Sequence, residues 1–347
     1  MPQEHQQLLA KSLSMVITRT PFRISFFGGG TDYPTWVQRH GGEVLGTTID
    51  KYCYISVREL PPFFEHKHRL VYSKIENVGA INEIKHPAVR EAFKYMKIRQ
   101  GLELHHDGDL PARSGMGSSS SFAVGLLNAL YALKGEFISK RELALQAIHL
   151  EQDLIQENVG SQDQILTASG GFNRVIFKPT GEHIIEPVII SSERQQELES
   201  HLLLFFTGIS RFASEVAKTQ IDNFKNREKE LLAMGQMVAE VLSILGSNTA
   251  DIKEFGKLLD ESWKLKRSLS GSVSSQAIDE MYKTAIKHGA IGGKILGAGG
   301  GGFLLVFADP EEHKAIIGSL KNLLHVPIKF ERSGSRVVLY EPDMMVE

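Results

Sequence analysis

The segment Pro111-Ala112-Arg113-Ser114-Gly115-Met116-Gly117-Ser118-Ser119-Ser120-Ser121 constrains this chain more than any other. It follows a strand-like run, Leu102–His106, and opens an apolar helix expected from Phe122 to Leu133. A glycine loop between a strand and a helix N-terminus aims unpaired backbone N–H groups and the positive end of the helix dipole at one spot. That spot suits phosphate. Gly115 and Gly117 let backbone approach a ligand where a Cβ would collide. The serine hydroxyls can bond phosphate or ligate a hard cation. A Ser-rich turn that only caps a core helix is the competing reading. The common P-loop is excluded, because no Gly-Lys-[Ser/Thr] follows.

A chain of 347 residues implies roughly two domains of ~150 residues each. The expected division is an appendage at 1–14, a first domain at 15–192 and a second at 193–347. A net charge of −2 gives no electrostatic case for a nucleic-acid or anionic-membrane partner. The single cysteine, Cys53, lies in the apolar run Tyr52–Val57 and is expected as a buried strand residue. No disulfide within the chain is possible, which fits a reducing compartment. No apolar stretch approaches the ~18 residues of a membrane span, and the N-terminus lacks the basic start and apolar core of a signal peptide. A cytoplasmic location is the expectation.

Strands are expected at Met15–Thr20, Arg23–Phe27, Val44–Ile49, Tyr52–Arg58 and Arg69–Ser73, where β-branched and aromatic runs are broken by Gly and Pro. A helix follows over Pro87–Ile98. Ser139-Lys-Arg-Glu142 reads as a capping box opening a helix to about Glu157. Strands at Gly171–Lys178 and His183–Ile190 close the first half. The second half reads as a strand at His201–Thr207, a helix-rich block from Arg211 to Ser268 broken near Gly246, and a helix from Ser275 to His288 ended by Gly289. Strand, glycine loop and strand follow over Ile291–Phe307, then a helix from Pro310 and strands at Pro327–Glu331 and Arg336–Tyr340. Without strict βαβ alternation, the order favours α+β over a doubly wound sheet.

Three further constellations carry chemistry. In Thr20-Pro-Phe-Arg23-Ile-Ser-Phe-Phe-Gly28-Gly29-Gly30-Thr31-Asp32-Tyr33, a strand bearing Arg23 runs into three glycines and an Asp able to accept from vicinal hydroxyls; an ordinary glycine-rich turn fits the same residues. Glu151 shares a helix face with Ala147, Ile148, Leu154 and Ile155, so its carboxylate points from the apolar side. Burial of that charge requires a compensating cation, from Lys or Arg or from Mg²⁺. Just beyond, Glu157-Asn158-Val159-Gly160-Ser161-Gln162-Asp163-Gln164 offers Asp163 as a base or a turn residue. Finally, Lys294-Ile-Leu-Gly297-Ala-Gly299-Gly300-Gly301-Gly302-Phe303 marks close packing of backbone against the nucleotide loop or the other domain. A strand follows it, so it is not a Rossmann fingerprint.

Taken in order, these motifs resemble the GHMP kinase superfamily, that of galactokinase, homoserine kinase, mevalonate kinase and phosphomevalonate kinase. The likeness runs over about residues 18–307, with Met116 and Ser120-Ser121 in place of the commoner Leu and Ala-Ala. It implies a two-domain α+β fold: a ribosomal protein S5 domain 2-like N-terminal domain with a left-handed βαβ crossover, and a ferredoxin-like C-terminal domain. ATP and substrate would lie between them. By position, Pro111 and Arg113 to Ser120 would hold ATP, and Ser118 and Glu151 would hold Mg²⁺. Asp163 would orient or deprotonate the attacking hydroxyl, with Arg23 beside the transferring phosphoryl. Gly28, Gly29, Gly30, Thr31, Asp32, Arg211, Gly299 and Gly300 would face the acceptor.

Galactokinase-type members carry Gly-Glu-His-x-Asp where this chain has Gly28-Gly29-Gly30-Thr31-Asp32. Gly-Gly-Gly-Thr-Asp-Tyr instead resembles the branch of D-glycero-D-manno-heptose 7-phosphate kinases and L-fucose kinases, which phosphorylate an anomeric hydroxyl. The resemblance implies a small sugar phosphate as partner and a monomer or homodimer. A phosphorylated acceptor requires cations beyond the sugar pocket, and Arg113, Arg174, Arg211, Lys266 and Arg267 are candidates. Arg211 leads, because Thr207-Gly208-Ile209-Ser210-Arg211 runs from a strand end into a helix.

Overall fold

The computed structural model describes residues 14–209, 213–247 and 249–342. The first half contains β1 (Met15–Phe27), α1 (Pro34–His40), β2 (Gly42–Glu59), β3 (His68–Val71), β4 (Ile75–Val78), α2 (Pro87–Tyr95), β5 (Leu102–Gly108), α3 (Ser118–Leu133), α4 (Lys140–His149), α5 (Gln162–Ser169), β6 (Phe172–Phe177) and β7 (His183–Pro187). The second half contains α6 (Ser192–Ser200), β8 (Leu202–Phe206), α7 (Ala213–Asn223), α8 (Glu228–Gly246), α9 (Lys253–Ser268), α10 (Gln276–Lys287), β9 (Ala290–Ile295), β10 (Phe303–Ala308), α11 (His313–Ser319), β11 (Leu324–His325), β12 (Phe330–Glu331) and β13 (Arg336–Glu341). The mixed α+β composition agrees with the sequence. No helix among the described residues is long and apolar enough to cross a membrane.

Two sheets organise the chain. The larger has nine strands, with β13-β1-β2-β5-β3-β4 as its main path and β6 and β12 also paired to the long β2. The smaller runs β11-β8-β10-β9, the 4-1-3-2 order of a ferredoxin-like sheet. The C-terminal strands do not follow the expected division at 192/193. Arg336–Glu341 pairs with β1, and Phe330 and Glu331 pair with Ile49 and Thr48. Residues of the second half thus complete the sheet of the first.

Two pairs of expected strands each form one continuous strand, β1 and β2. The register of β1 on β2 shifts between Pro21 and Arg23, where proline has no N–H to give the ladder. Before this point burial alternates along β1; beyond it every residue is buried, because elements cover both faces. Phe26 and Phe27 meet Phe255 of α9 edge to face, with ring centroids 5.5 and 5.2 Å away, and Phe255 also packs on Phe307 of β10 at 5.4 Å. One aromatic chain therefore ties the two sheets together. Cys53 is buried in β2, as expected.

Phe255 is fully buried at that junction. Phe255→Ala should cost about 3–5 kcal/mol through lost contacts and the cavity left behind. Urea denaturation checks this; a loss below ~1 kcal/mol would mean that the two sheets are joined elsewhere.

Candidate active site

The loop from β5 to α3 ends at Gly117, which is the N-cap of α3 with φ +74° and has no side chain capping the helix. That left-handed conformation and the close neighbours both require glycine. A Cβ there would stand 3.0 Å from Arg23 Cγ and 3.5 Å from Asp163 Oδ2. Helix start, arginine and aspartate thus converge on one spot. Behind them the two glycine loops interlock. A Cβ on Gly297 would fall 2.5 Å from Gly115 Cα, and one on Gly302 would fall 2.1 Å from the Ser114 carbonyl oxygen. The second loop joins β9 to β10, so both sequence alternatives hold: it packs on the nucleotide-type loop, and it does so from the other sheet.

Arg23 is 3% exposed. Its Nε donates to Asp163 Oδ1 at 2.7 Å, its Nη2 to Oδ2 at 2.6 Å, and its Nη1 to the Gly115 carbonyl at 2.8 Å. This bidentate fork fixes both groups. Asp163, in the first turn of α5, keeps 24% of its side chain exposed, so a ligand can reach its carboxylate.

The helix expected to run to Glu157 stops at His149 and continues as one π-helical turn, Leu150–Leu154. Such single turns change which side chain faces inward without ending the helix. Glu151 lies in this turn and is buried. Ser119 Oγ donates to its Oε1 at 2.6 Å, Ser120 Oγ donates to Oε2 at 2.7 Å, and Gln164 Nε2 also donates to Oε2. No Lys or Arg bridges it among the described residues. Burial pushes its carboxyl up to about 7, against the pull of these hydrogen bonds. Ser118, expected beside Glu151, instead accepts from Arg113 N–H at 3.2 Å. The hydroxyls that meet the carboxylate belong to the next two serines.

Asp32 is 1% exposed, and its oxygens accept from the backbone N–H groups of Gly30 at 3.1 Å and Gln162 at 3.2 Å. Gly160 packs so closely that a Cβ would overlap the Asp32 carboxylate. Asp32 ties the loop entering α5, and hence Asp163, to the Gly28–Gly30 turn. Burial and the neighbouring Asp163 raise its pKa. Thr31 is likewise internal, its hydroxyl bonded to the Gly28 and Glu43 backbone. Gly28 packs against Glu43, while Gly29 sits near Ser25 Oγ and Gln162 Nε2. Gly299 and Gly300 press on Val273, whose carbonyl accepts from Gly300 N–H at 2.8 Å.

Of the candidate distal cations, Arg174 pairs with Glu43 and Glu186, and Arg267 with Asp279. Arg211 lies outside the described residues. Lys266 is buried and donates to the Gly297 carbonyl. Lys294, for which the sequence suggests no role, is buried too and donates to the Phe26 carbonyl at 2.7 Å. Nor does the sequence suggest a role for Gln164. The Lys266 signal was present in the sequence, since the residue continues the buried stripe Phe255, Leu259, Ser262 and Trp263 of α9.

Comparison with known proteins identifies the family. Residues 82–171 match the family described as GHMP kinases N terminal domain, and residues 240–325 match GHMP kinases C terminal. The D-glycero-alpha-D-manno-heptose 7-phosphate kinase of Campylobacter jejuni is 30% identical over 319 residues, 89% of this chain and 94% of that one. The bifunctional fucokinase/GDP-fucose pyrophosphorylase of Arabidopsis thaliana is 25% identical over 89% of this chain but only 31% of its own length. Among solved structures, a D-glycero-D-manno-heptose 1-phosphate kinase from Bacteroides thetaiotaomicron superposes with a TM-score of 0.76 at 21% identity, covering 93% of this chain and 99% of that one. The chain belongs to the GHMP kinase family and is a phosphotransferase with an alcohol acceptor, a sugar kinase of the GHMP type.

Proposed function

We propose that the protein transfers the γ-phosphoryl of ATP to the anomeric hydroxyl of D-glycero-D-manno-heptose 7-phosphate. The product would be the 1,7-bisphosphate, used in nucleotide-activated heptose synthesis. The observation that carries this reading is the near full-length similarity to the Campylobacter heptose 7-phosphate kinase, joined to an Arg23–Asp163 pair set against a glycine loop. Kinases of the family use ATP as donor. The backbone from Ser114 to Ser120 and the uncapped N-terminus of α3 are suited to its phosphates. In this reading Asp163 accepts a hydrogen bond from the attacking hydroxyl, and Arg23 holds the carboxylate in place while offsetting the charge of the moving phosphoryl.

A divalent cation fits beside Glu151. A buried carboxylate met by two serine hydroxyls, with no Lys or Arg on it among the described residues, offers hard oxygen donors. Glu151 and Ser119 would hold Mg²⁺ there, with Ser118 near the same helix start. Mg²⁺ would supply neutralisation of the β- and γ-phosphates. An L-fucose 1-kinase is the second reading, favoured by the Gly28–Tyr33 motif and the Arabidopsis relative.

Three outcomes follow. Asp163→Asn should lower kcat at least ~100-fold with little change in ATP affinity; steady-state kinetics showing more than half the wild-type turnover would reduce Asp163 to a turn residue. Glu151 has a carboxyl raised to about 7 in the folded protein, above the 4.5 of the free side chain. The folded state therefore binds the extra proton between these values, and chelator-treated protein should lose stability as pH rises from about 4.5 through 7. Glu151→Gln should abolish that loss together with the Mg²⁺ dependence of turnover, and Ser119→Ala should weaken the Mg²⁺ dependence more mildly. Unchanged Mg²⁺ titrations in both variants would remove the metal assignment. Lastly, kcat/KM should favour heptose 7-phosphate over unphosphorylated heptose by roughly 10²–10⁴, the yield of two charge-assisted phosphate contacts. Equal values would move the assignment to a free-sugar kinase, and a preference for fucose would select the second reading.

A further inference from the structure

Three buried cations lie together behind the glycine loops, and among the described residues two of them, Lys266 and Lys294, have no carboxylate partner. Arg23 is ion-paired with Asp163 and also donates to the Gly115 carbonyl. Lys294 reaches the Phe26 carbonyl. Lys266, 6% exposed, spends one N–H on the Gly297 carbonyl and forms no ion pair with any described residue. The charged groups that act on it are Arg23, Asp32, Asp163 and Lys294. Both aspartates are already committed, Asp163 to Arg23 and Asp32 to backbone N–H groups. A buried ammonium with spare donors and no ion pair of its own is costly unless an anion arrives.

A second observation points the same way. Among the described residues, the buried hydroxyls Ser114 Oγ, in the phosphate-type loop, and Ser25 Oγ, beside Gly29, have no hydrogen-bond partner. Native proteins rarely leave such atoms unsatisfied. The Gly297 backbone that Lys266 grips lies directly on Gly115 of the phosphate-type loop. The ammonium is thus anchored where both loops and the Arg23–Asp163 pair come together.

We propose that Lys266 is a phosphate-binding residue of the cleft, its free N–H groups contacting a phosphate oxygen of a bound substrate. That phosphate comes from the nucleotide or from a phosphorylated acceptor. The second source rests on the heptose 7-phosphate reading; the first does not. Burial and the nearby Arg23 lower the ammonium to about 8, and a bound phosphate opposes that shift.

The test is calorimetric binding of Mg·AMP-PNP and of heptose 7-phosphate to wild-type protein, Lys266→Met and Lys266→Arg, with thermal midpoints for each. Lys266→Met nearly preserves volume, so the free variant should melt at or above the wild-type temperature. It should lose about 10- to 100-fold in affinity for one ligand, and Lys266→Arg should retain more of it. Loss confined to the nucleotide assigns the contact to ATP, and loss confined to the sugar phosphate assigns it to the acceptor. Unchanged affinity for both overturns the proposal. So does a Met variant that is unfolded or melts well below wild type, which would make Lys266 a structural latch on Gly297. The substrate reading fails separately: if wild-type protein binds no heptose 7-phosphate, the nucleotide arm still decides the role of Lys266.

Discussion

The backbone contact between Gly115 and Gly297 is the constraint on which the rest of the site depends. Neither position tolerates a side chain, because each Cα lies against the other loop. One loop leads from β5 into α3, and the other joins β9 to β10, so their contact ties the two sheets together at the cleft. It also fixes the Gly115 carbonyl, which accepts from Arg23, which in turn holds both oxygens of Asp163. Glycine is entropically costly in the unfolded chain. The aromatic chain from Phe26 through Phe255 to Phe307 helps to offset that cost by packing the two sheets behind the loops.

Electrostatics in the cleft follow from this geometry. Glu151 and Asp32 are buried carboxylates without ion pairs among the described residues, and Lys266 and Lys294 are buried ammonium groups in the same condition. Desolvation raises both acids and lowers both amines. A folded protein holds such charges apart at a cost to its own stability, and functional sites are where this cost concentrates. A ligand carrying phosphate and a divalent cation would relieve both sets at once.

Local chemistry was legible in the sequence wherever a short motif fixes the backbone. The Ser139–Glu142 capping box forms as read, α10 ends at Lys287 with Gly289 at positive φ just beyond, and the strand–glycine–helix segment stands where it was expected. The family and the α+β class followed from those motifs. The π-helical turn at Leu150–Leu154 was not legible, because the apolar spacing through Ala147, Ile148, Leu154 and Ile155 fits an unbroken α-helix equally well. Nor was the return of β12 and β13 to the first sheet, since pairings across some 300 residues leave no local trace. The burial of Asp32 under Gly160 was not legible either, because it depends on tertiary contact. That Ser119 and Ser120 bond Glu151 was not legible for a similar reason, since which hydroxyl turns inward is set by the helix start at Gly117.

If Arg23 and Asp163 carry the proposed phosphoryl transfer, the interlocked backbones of Gly115 and Gly297 hold them in register for it. Turnover of Gly297→Ala tests it most directly, measured with ATP and heptose 7-phosphate on protein whose far-UV circular dichroism is native. The added methyl must push Gly115 away, and displacements near 1 Å can cost ~100-fold in rate. A fall in kcat of that order is expected, with sugar-phosphate affinity largely retained. Turnover within twofold of wild type would contradict it.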